Sequence, residues 1–156
     1  MNGLIQRELT LGEVGRAAIA KGTLAHCHGI FDLLHLGHLA HLQEAKEIAD
    51  TLVVTVTADA FVRKGAGRPL FTGHERAIMI SSLSCVDYAA IIEAPNAAEA
   101  IRELRPNFYV KGTDYKNQIA SEEISAIEEV GGYIIHTRSL KIRTTDIIRR
   151  CKEIAL

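Results

Sequence analysis

The sequence predicts an α/β fold, a doubly wound parallel sheet of about five strands with helices on both faces. Short apolar runs with strand character alternate along the chain with stretches of helical period, and strands separated by helices pair in parallel through right-handed crossovers. The 156 residues, 47% of them hydrophobic, suit one compact domain with a substantial core. Finally, no internal repeat, low-complexity segment or composition shift divides the chain, so residues 1–156 read as a single domain with residues 1–22 as its helical lead-in.

The elements follow in order. A first helix is expected near Leu11 to Ala20. Leu24 to Cys27 is a short apolar strand that Gly29 breaks. From Gly37 onward Leu39, Leu42, Ala45, Ile48 and Ala49 recur at helical spacing. Leu52 to Thr57 forms the next strand, and Gly73 to Ser84 the helix after it. Tyr88 to Ile92 is a third strand. Ala97, Ala100, Ile101 and Leu104 make an i, i+3, i+4, i+7 stripe, closed off by Pro106. Phe108 to Val110 is a fourth strand, Ser121 to Val130 a helix, Tyr133 to His136 a fifth strand and Thr145 to Ala155 a last helix.

Composition excludes several functions. The formal charge is −1 with no basic stripe, which leaves nucleic-acid binding without support. No apolar run approaches the ~20 residues that span a bilayer, and Met1 to Thr10 carries Gln6, Arg7 and Glu8 where a secretory segment would be apolar. A cytoplasmic protein without membrane contact is expected. Cys27, Cys85 and Cys151 are odd in number and lack Cys-x-x-Cys spacing, as reduced thiols would be.

The stretch from Ala25 to His38 carries the strongest functional signal. A strand, a tight loop and a helix follow one another there. A first helical turn leaves unpaired N–H groups and the positive end of the macrodipole facing the loop, both of which favour an anion. Gly37 lets the backbone come close to that anion. His35 and His38, three apart, can point over the helix N-terminus toward one bound group. Fixed donors there stabilise a phosphorus under attack more than its ground state, typically by about 3–4 kcal/mol per donor. The bland alternative is two loop histidines with a capping role.

Five histidines (26, 28, 35, 38 and 41) crowd sixteen residues and invite comparison with a zinc site. Alternation along a strand sends His26 and His28 to one face and Cys27 to the other, and a closed tetrahedral site needs four convergent ligands. No metal site is expected from them, and His41 reads as helix surface.

Further motifs each admit two readings. Phe61 to Pro69 places Arg63, Lys64 and Arg68 around Gly65 and Gly67. This is either a solvated loop or a mobile cationic one in which Lys64 reaches a bound phosphate, with Arg63 or Arg68 helping. Arg76 in His74-Glu75-Arg76 is either an exposed helix cation or a ligand contact. Val110-Lys111-Gly112-Thr113-Asp114-Tyr115 is either a structural turn or a loop that presents backbone groups and Asp114 to a base or ribose. Thr144 or Thr145 reads by itself as an N-cap.

Taken with their context, these residues resemble a known family. His35-Leu36-Gly37-His38 is similar to the His-x-Gly-His signature of the cytidylyltransferase-like nucleotidyltransferase superfamily. Gly29-Ile30-Phe31-Asp32-Leu33-Leu34 is similar to its lead-in. The likeness continues through Thr57-Ala58-Asp59, Lys64-Gly65, His74-Glu75-Arg76, the segment 110–115 and Arg143-Thr144-Thr145-Asp146, nearly the whole chain. Within this branch the chain most resembles the adenylyltransferase domain of bacterial ADP-heptose synthase, and glycerol-3-phosphate cytidylyltransferase somewhat less.

The resemblance implies a Rossmann-like domain in which a phosphate oxygen of the acceptor attacks the α-phosphorus of ATP or CTP and pyrophosphate leaves. It implies catalytic roles for His35, His38 and Lys64. Gly29, Ile30, Phe31, Asp32, Gly37, Arg76, Lys111, Gly112, Asp114, Thr144 and Thr145 would contact the nucleotide. Mg²⁺ would be carried mainly by the nucleotide phosphates, the acceptor would be a phosphorylated sugar, and the protein would be a homodimer. Two departures bear on the acceptor. His28 stands where the heptose enzymes usually carry Asn, and Arg143 stands where a Ser usually precedes the paired threonines. A cytidylyltransferase acting on glycerol 3-phosphate or another small polyol phosphate, and a non-catalytic nucleotide-binding regulatory domain, remain the alternatives.

Overall fold

A computed structural model describes residues 3–4, 10–113, 118–138 and 142–154. One parallel sheet runs through it, built from β1 (Gly3–Leu4), β2 (Leu24–Gly29), β3 (Thr51–Thr57), β4 (Tyr88–Ile92), β5 (Phe108–Gly112) and β6 (Tyr133–Thr137) in the spatial order β1-β4-β3-β2-β5-β6. The five expected strands all form, and β1, within the lead-in expected to be helical, adds a two-residue edge beside β4. The helices are α1 (Leu11–Ile19), α2 (Leu36–Ile48), α3 (Gly73–Ser81), α4 (Ala98–Leu104), α5 (Ser121–Glu129) and α6 (Thr144–Ile154).

Local chemistry explains the boundaries. Thr10 and Glu13 close a capping box at the start of α1, and Thr72 with Glu75 closes another at α3. α3 stops earlier than its apolar pattern suggests because the hydroxyls of Ser81 and Ser82 both donate to the Ile78 carbonyl, competing with the helix's own ladder. α4 ends where Arg105 turns left-handed, at φ 52°, before Pro106.

The two faces of the sheet hold separate apolar layers. Ala25, Cys27, Leu52, Val54, Val56 and Val110 pack against Leu42 and Ala45 of α2 and Ala77 and Ile80 of α3. On the opposite face Leu24, Val53 and Tyr109 meet α1, α4 and α5 through Val14, Leu104, Ile101 and Ile127. β3 is buried along its whole length, as a central parallel strand covered on both faces must be.

The winding reverses beside β2. From β2 the chain builds outward through β3 and β4, then crosses back to place β5 on the other side of β2. Such a switch leaves a crevice beyond the carboxyl ends of the two adjacent strands. The loop leaving β2 and the end of β5 therefore face each other.

Candidate functional site

A cleft of ≈ 530 Å³ opens at that crevice. Gly29, Ile30, Phe31 and Asp32 from the loop after β2, and His35, Gly37 and His38 from the start of α2, form one wall. Lys111 and Gly112 at the end of β5, with Thr113, line the same cleft. The lead-in of α6 brings Ile142, Arg143, Thr144 and Thr145, and the loop after β3 brings Lys64 and Arg68. Two motifs more than a hundred positions apart in sequence thus meet at two helix N-termini. Asp114 lies outside the described residues.

The geometry at α2 is specific. His35 is its N-cap, and its Nδ1 accepts the Gly37 N–H at 3.1 Å. That bond leaves the neutral imidazole's proton on Nε2, free to donate. The rings of His35 and His38 stack, centroids 3.8 Å apart and 19° from parallel, and Phe31 meets His38 edge-on at 5.3 Å. His38 Nδ1 is buried and finds no partner among the described residues, so Nε2 is the atom it offers to a ligand. Burial holds His35 below the ordinary imidazole value. It pushes His38 down to about 3, with His35 and His41 adding to the effect. Both are uncharged donors at neutral pH.

Gly37 makes this stacking possible. A Cβ there would lie 3.0 Å from His35 Cε1 and 3.2 Å from the Cβ of Ile142, closer than ordinary packing contacts. The glycine admits both the cap imidazole and the lead-in of α6 to one spot.

Several expected site residues sit elsewhere or do other work. Arg76 is fully buried and does not line the cleft. Its guanidinium donates to the carbonyls of Phe71 at 3.0 Å and Ile30 at 2.6 Å and pairs with Asp59, so it ties the floor loop to α3 from behind. Asp32 borders the cleft, but its carboxylate accepts the Leu70 and Phe71 N–H groups at 2.7 and 3.1 Å and pairs with Arg68. Those bonds hold its pKa below the usual carboxylate value although burial opposes them. It anchors the cationic loop. Arg63 folds back to the Ala60 carbonyl. Thr144 and Thr145 open α6 rather than capping it, and the Arg143 carbonyl accepts the Asp146 and Ile147 N–H groups.

His41 overturns its reading as helix surface. It lines the cleft, its Nδ1 lies 2.8 Å from Thr137 Oγ1, and burial lowers its pKa to about 4 with the nearby Lys111 charge contributing. The i, i+3, i+6 spacing of His35, His38 and His41 carries the signal, because α2 lays that face across β6. His28, Thr113 and Gln118 also border the cleft. No group of three or more His, Cys, Asp or Glu among the described residues is arranged to hold a metal ion.

Comparison with known proteins decides the family. The model of the family described as "Cytidylyltransferase-like" matches residues 26–150. The chain belongs to the cytidylyltransferase-like family of nucleotidyltransferases. Bifunctional protein HldE of Syntrophotalea carbinolica is 38% identical over 82% of this chain and 26% of its own length. Bifunctional protein HldE of Campylobacter fetus is 34% identical over 97% of this chain and 32% of its own. The chain therefore spans roughly a quarter to a third of these curated relatives. A crystal structure of the lipopolysaccharide core biosynthesis protein from Thermoplasma volcanium superposes with a TM-score of 0.66 at 29% identity, covering 77% of this chain and 99% of that one. No helix among the described residues is long and apolar enough to cross a membrane.

Proposed function

We propose that this cytidylyltransferase-like domain transfers a nucleoside monophosphate from ATP to a phosphorylated sugar such as a heptose 1-phosphate. The observation that carries the reading is the stacked pair of neutral imidazoles over the N-terminus of α2, with the start of α6 brought beside it in the same cleft. Neutral donors of this kind suit a reaction that gathers negative charge on phosphorus.

In the reaction, an oxygen of the acceptor phosphate forms a bond to the α-phosphorus in line with the bond that breaks to the β-phosphate bridge. The electron pair of that bond leaves with pyrophosphate. A phosphate dianion is already a nucleophile, so no base is needed and catalysis rests on placement and charge. His35 and His38 donate Nε2–H groups to the oxygens of the α-phosphate. Gly29, Ile30, Phe31 and Gly37 lend backbone to the same end of the triphosphate, and Thr144, Thr145 and the N–H groups opening α6 hold its outer phosphates. Lys64, exposed at the mouth, swings over them. Asp32 and Arg76 shape this loop without touching the ligand.

The only carboxylate on the cleft wall among the described residues, Asp32, is committed to the loop it anchors. The donor set therefore fits Mg²⁺ carried by the nucleotide phosphates rather than by a protein cage. When bound, that ion neutralises the charge on departing pyrophosphate.

A pyrophosphate-release screen pairing ATP and CTP with heptose 1-phosphate and glycerol 3-phosphate tests the reading. Turnover with ATP and the heptose phosphate is the expected outcome. Turnover confined to CTP and glycerol 3-phosphate would move the enzyme to the cytidylyl branch, and no turnover with any pair would favour a nucleotide sensor.

A further inference from the structure

The family resemblance places Lys111 among the nucleotide contacts, and the structure holds its ammonium against β5 and α5 at the edge of the cleft. It sits 3.1 Å from the Tyr109 hydroxyl and 3.7 Å from Glu123 Oε2, and burial lowers the pKa values of the neighbouring His26, His28 and His41 with the Lys111 charge adding to the effect. Glu123 is itself fixed by accepting the Ala97 N–H at 2.9 Å. A largely buried cation, held by strand and helix rather than by loop, therefore lines the cleft.

His28 stands beside it with a fixed polarity. The Thr55 hydroxyl has one proton and meets two ring nitrogens, His26 Nε2 at 2.8 Å and His28 Nδ1 at 2.9 Å. His26 Nδ1 is buried without a partner among the described residues. A bare buried N–H is the rarer and costlier orphan, so the His26 proton belongs on Nε2, donating to Thr55. Thr55 then donates to His28 Nδ1, and His28 carries its proton on Nε2. That N–H reaches Thr57 Oγ1 at 3.2 Å, the longest bond of the chain and one that a ligand oxygen can share, as bifurcated bonds do.

We propose that Lys111 and His28 form the subsite for the attacking phosphate of the acceptor, separate from the helix N-termini that receive the triphosphate; this rests on the transfer reading above. Together they offer the cleft a cation and a donor-only imidazole edge. Phosphate oxygens, which only accept, match that set. A nucleobase presents both donors and acceptors and carries no charge to meet the ammonium. His26 and Thr55 act through His28 as positioning residues.

The test has two arms. In steady-state kinetics with ATP and heptose 1-phosphate, Lys111→Met and His28→Phe raise KM for the acceptor by about tenfold or more while KM for ATP stays within about twofold, as loss of a charge-assisted contact implies. Thr55→Val shifts KM for the acceptor in the same direction, and Thr55→Ser restores it. The double variant Lys111→Met/Glu123→Gln removes the uncompensated carboxylate and must give the same KM pattern with a native melting profile. A rise confined to KM for ATP, or no rise in either, overturns the subsite. In the second arm, inorganic phosphate is titrated calorimetrically into protein saturated with α,β-methylene-ATP. Binding that Lys111→Met weakens by about tenfold supports the subsite even if no acceptor turns over, in which case the transfer reading fails alone. Absence of phosphate binding to the saturated protein, or binding indifferent to Lys111→Met, refutes it.

Discussion

Two histidine pairs lie a few residues apart and have opposite surroundings. His26 and His28, two apart on β2, share one face of the sheet and are pinned through Thr55 and Thr57 hydroxyls. His35 and His38, three apart at the start of α2, stack on each other, and the one bond that His35 Nδ1 accepts comes from the helix it caps. Period two delivers two rings to a ladder of strand side chains. Period 3.6 delivers two rings to a helix N-terminus on the wall of the cleft. Reaching the cleft separates His26, a scaffold histidine that does not line it, from His28, His35 and His38, which do and can act on a ligand.

The cations divide the same way. Arg76 is enclosed by two carbonyls and Asp59, whereas Lys64 stands exposed at the mouth.

Breaking the helix pair should have the largest effect. His38→Ala is expected to lower kcat by about 10²–10³, the scale of removing one transition-state donor, with the urea midpoint unchanged or raised because a buried imidazole lacking a partner for Nδ1 is lost. An equal loss of kcat from His26→Ala would erase the contrast between the pairs. Next, Arg76→Met should cost about 3 kcal/mol of unfolding free energy by leaving buried carbonyls unpaired, measured by urea denaturation. Lys64→Met should leave that midpoint in place and reduce kcat. His26→Ala follows, with about 2 kcal/mol lost from a buried polar contact and its packing, and kcat within about threefold.

The pH slope tests the buried imidazoles together. His28 and His41 are lowered to about 4 and His38 to about 3, in each case first by burial. Below pH 6.5 the unfolded chain protonates these imidazoles while the folded one does not. The unfolded state then binds more protons, so stability falls as the solution is acidified toward pH 4. Each histidine contributes at most about 1.4 kcal/mol per pH unit inside that window. Urea midpoints at pH 7.0, 5.5 and 4.5 measure the slope. Saturating ATP should flatten it, because phosphate charge favours imidazolium at His35 and His38, and a slope indifferent to ATP would place the nucleotide away from that pair.

Much of this was legible in the chain. Alternating apolar runs gave the five principal strands and the helices between them, since a parallel sheet buried on both faces demands continuous apolar strands. The strand-to-helix passage at residues 25–38 identified the phosphate-binding end because a glycine, a helix start and spaced histidines are all local features. Arg76 and His41 were misread for one reason. Spacing along a helix says which residues share a face but not what that face meets, and here α3 turns Arg76 under the loop after β2 while α2 lays His41 on Thr137.

The sequence by itself thus determined the order of elements, the parallel winding and the helix start where an anion is welcome, because each follows from periodicity and backbone chemistry within a few residues. Only the tertiary structure decided that α6 opens against α2, that Lys111 is held against Glu123 beside the cleft and that Asp32 holds a loop. Those outcomes depend on contacts between residues tens of positions apart, whose burial and hydrogen-bond partners exist only once the sheet has brought them together.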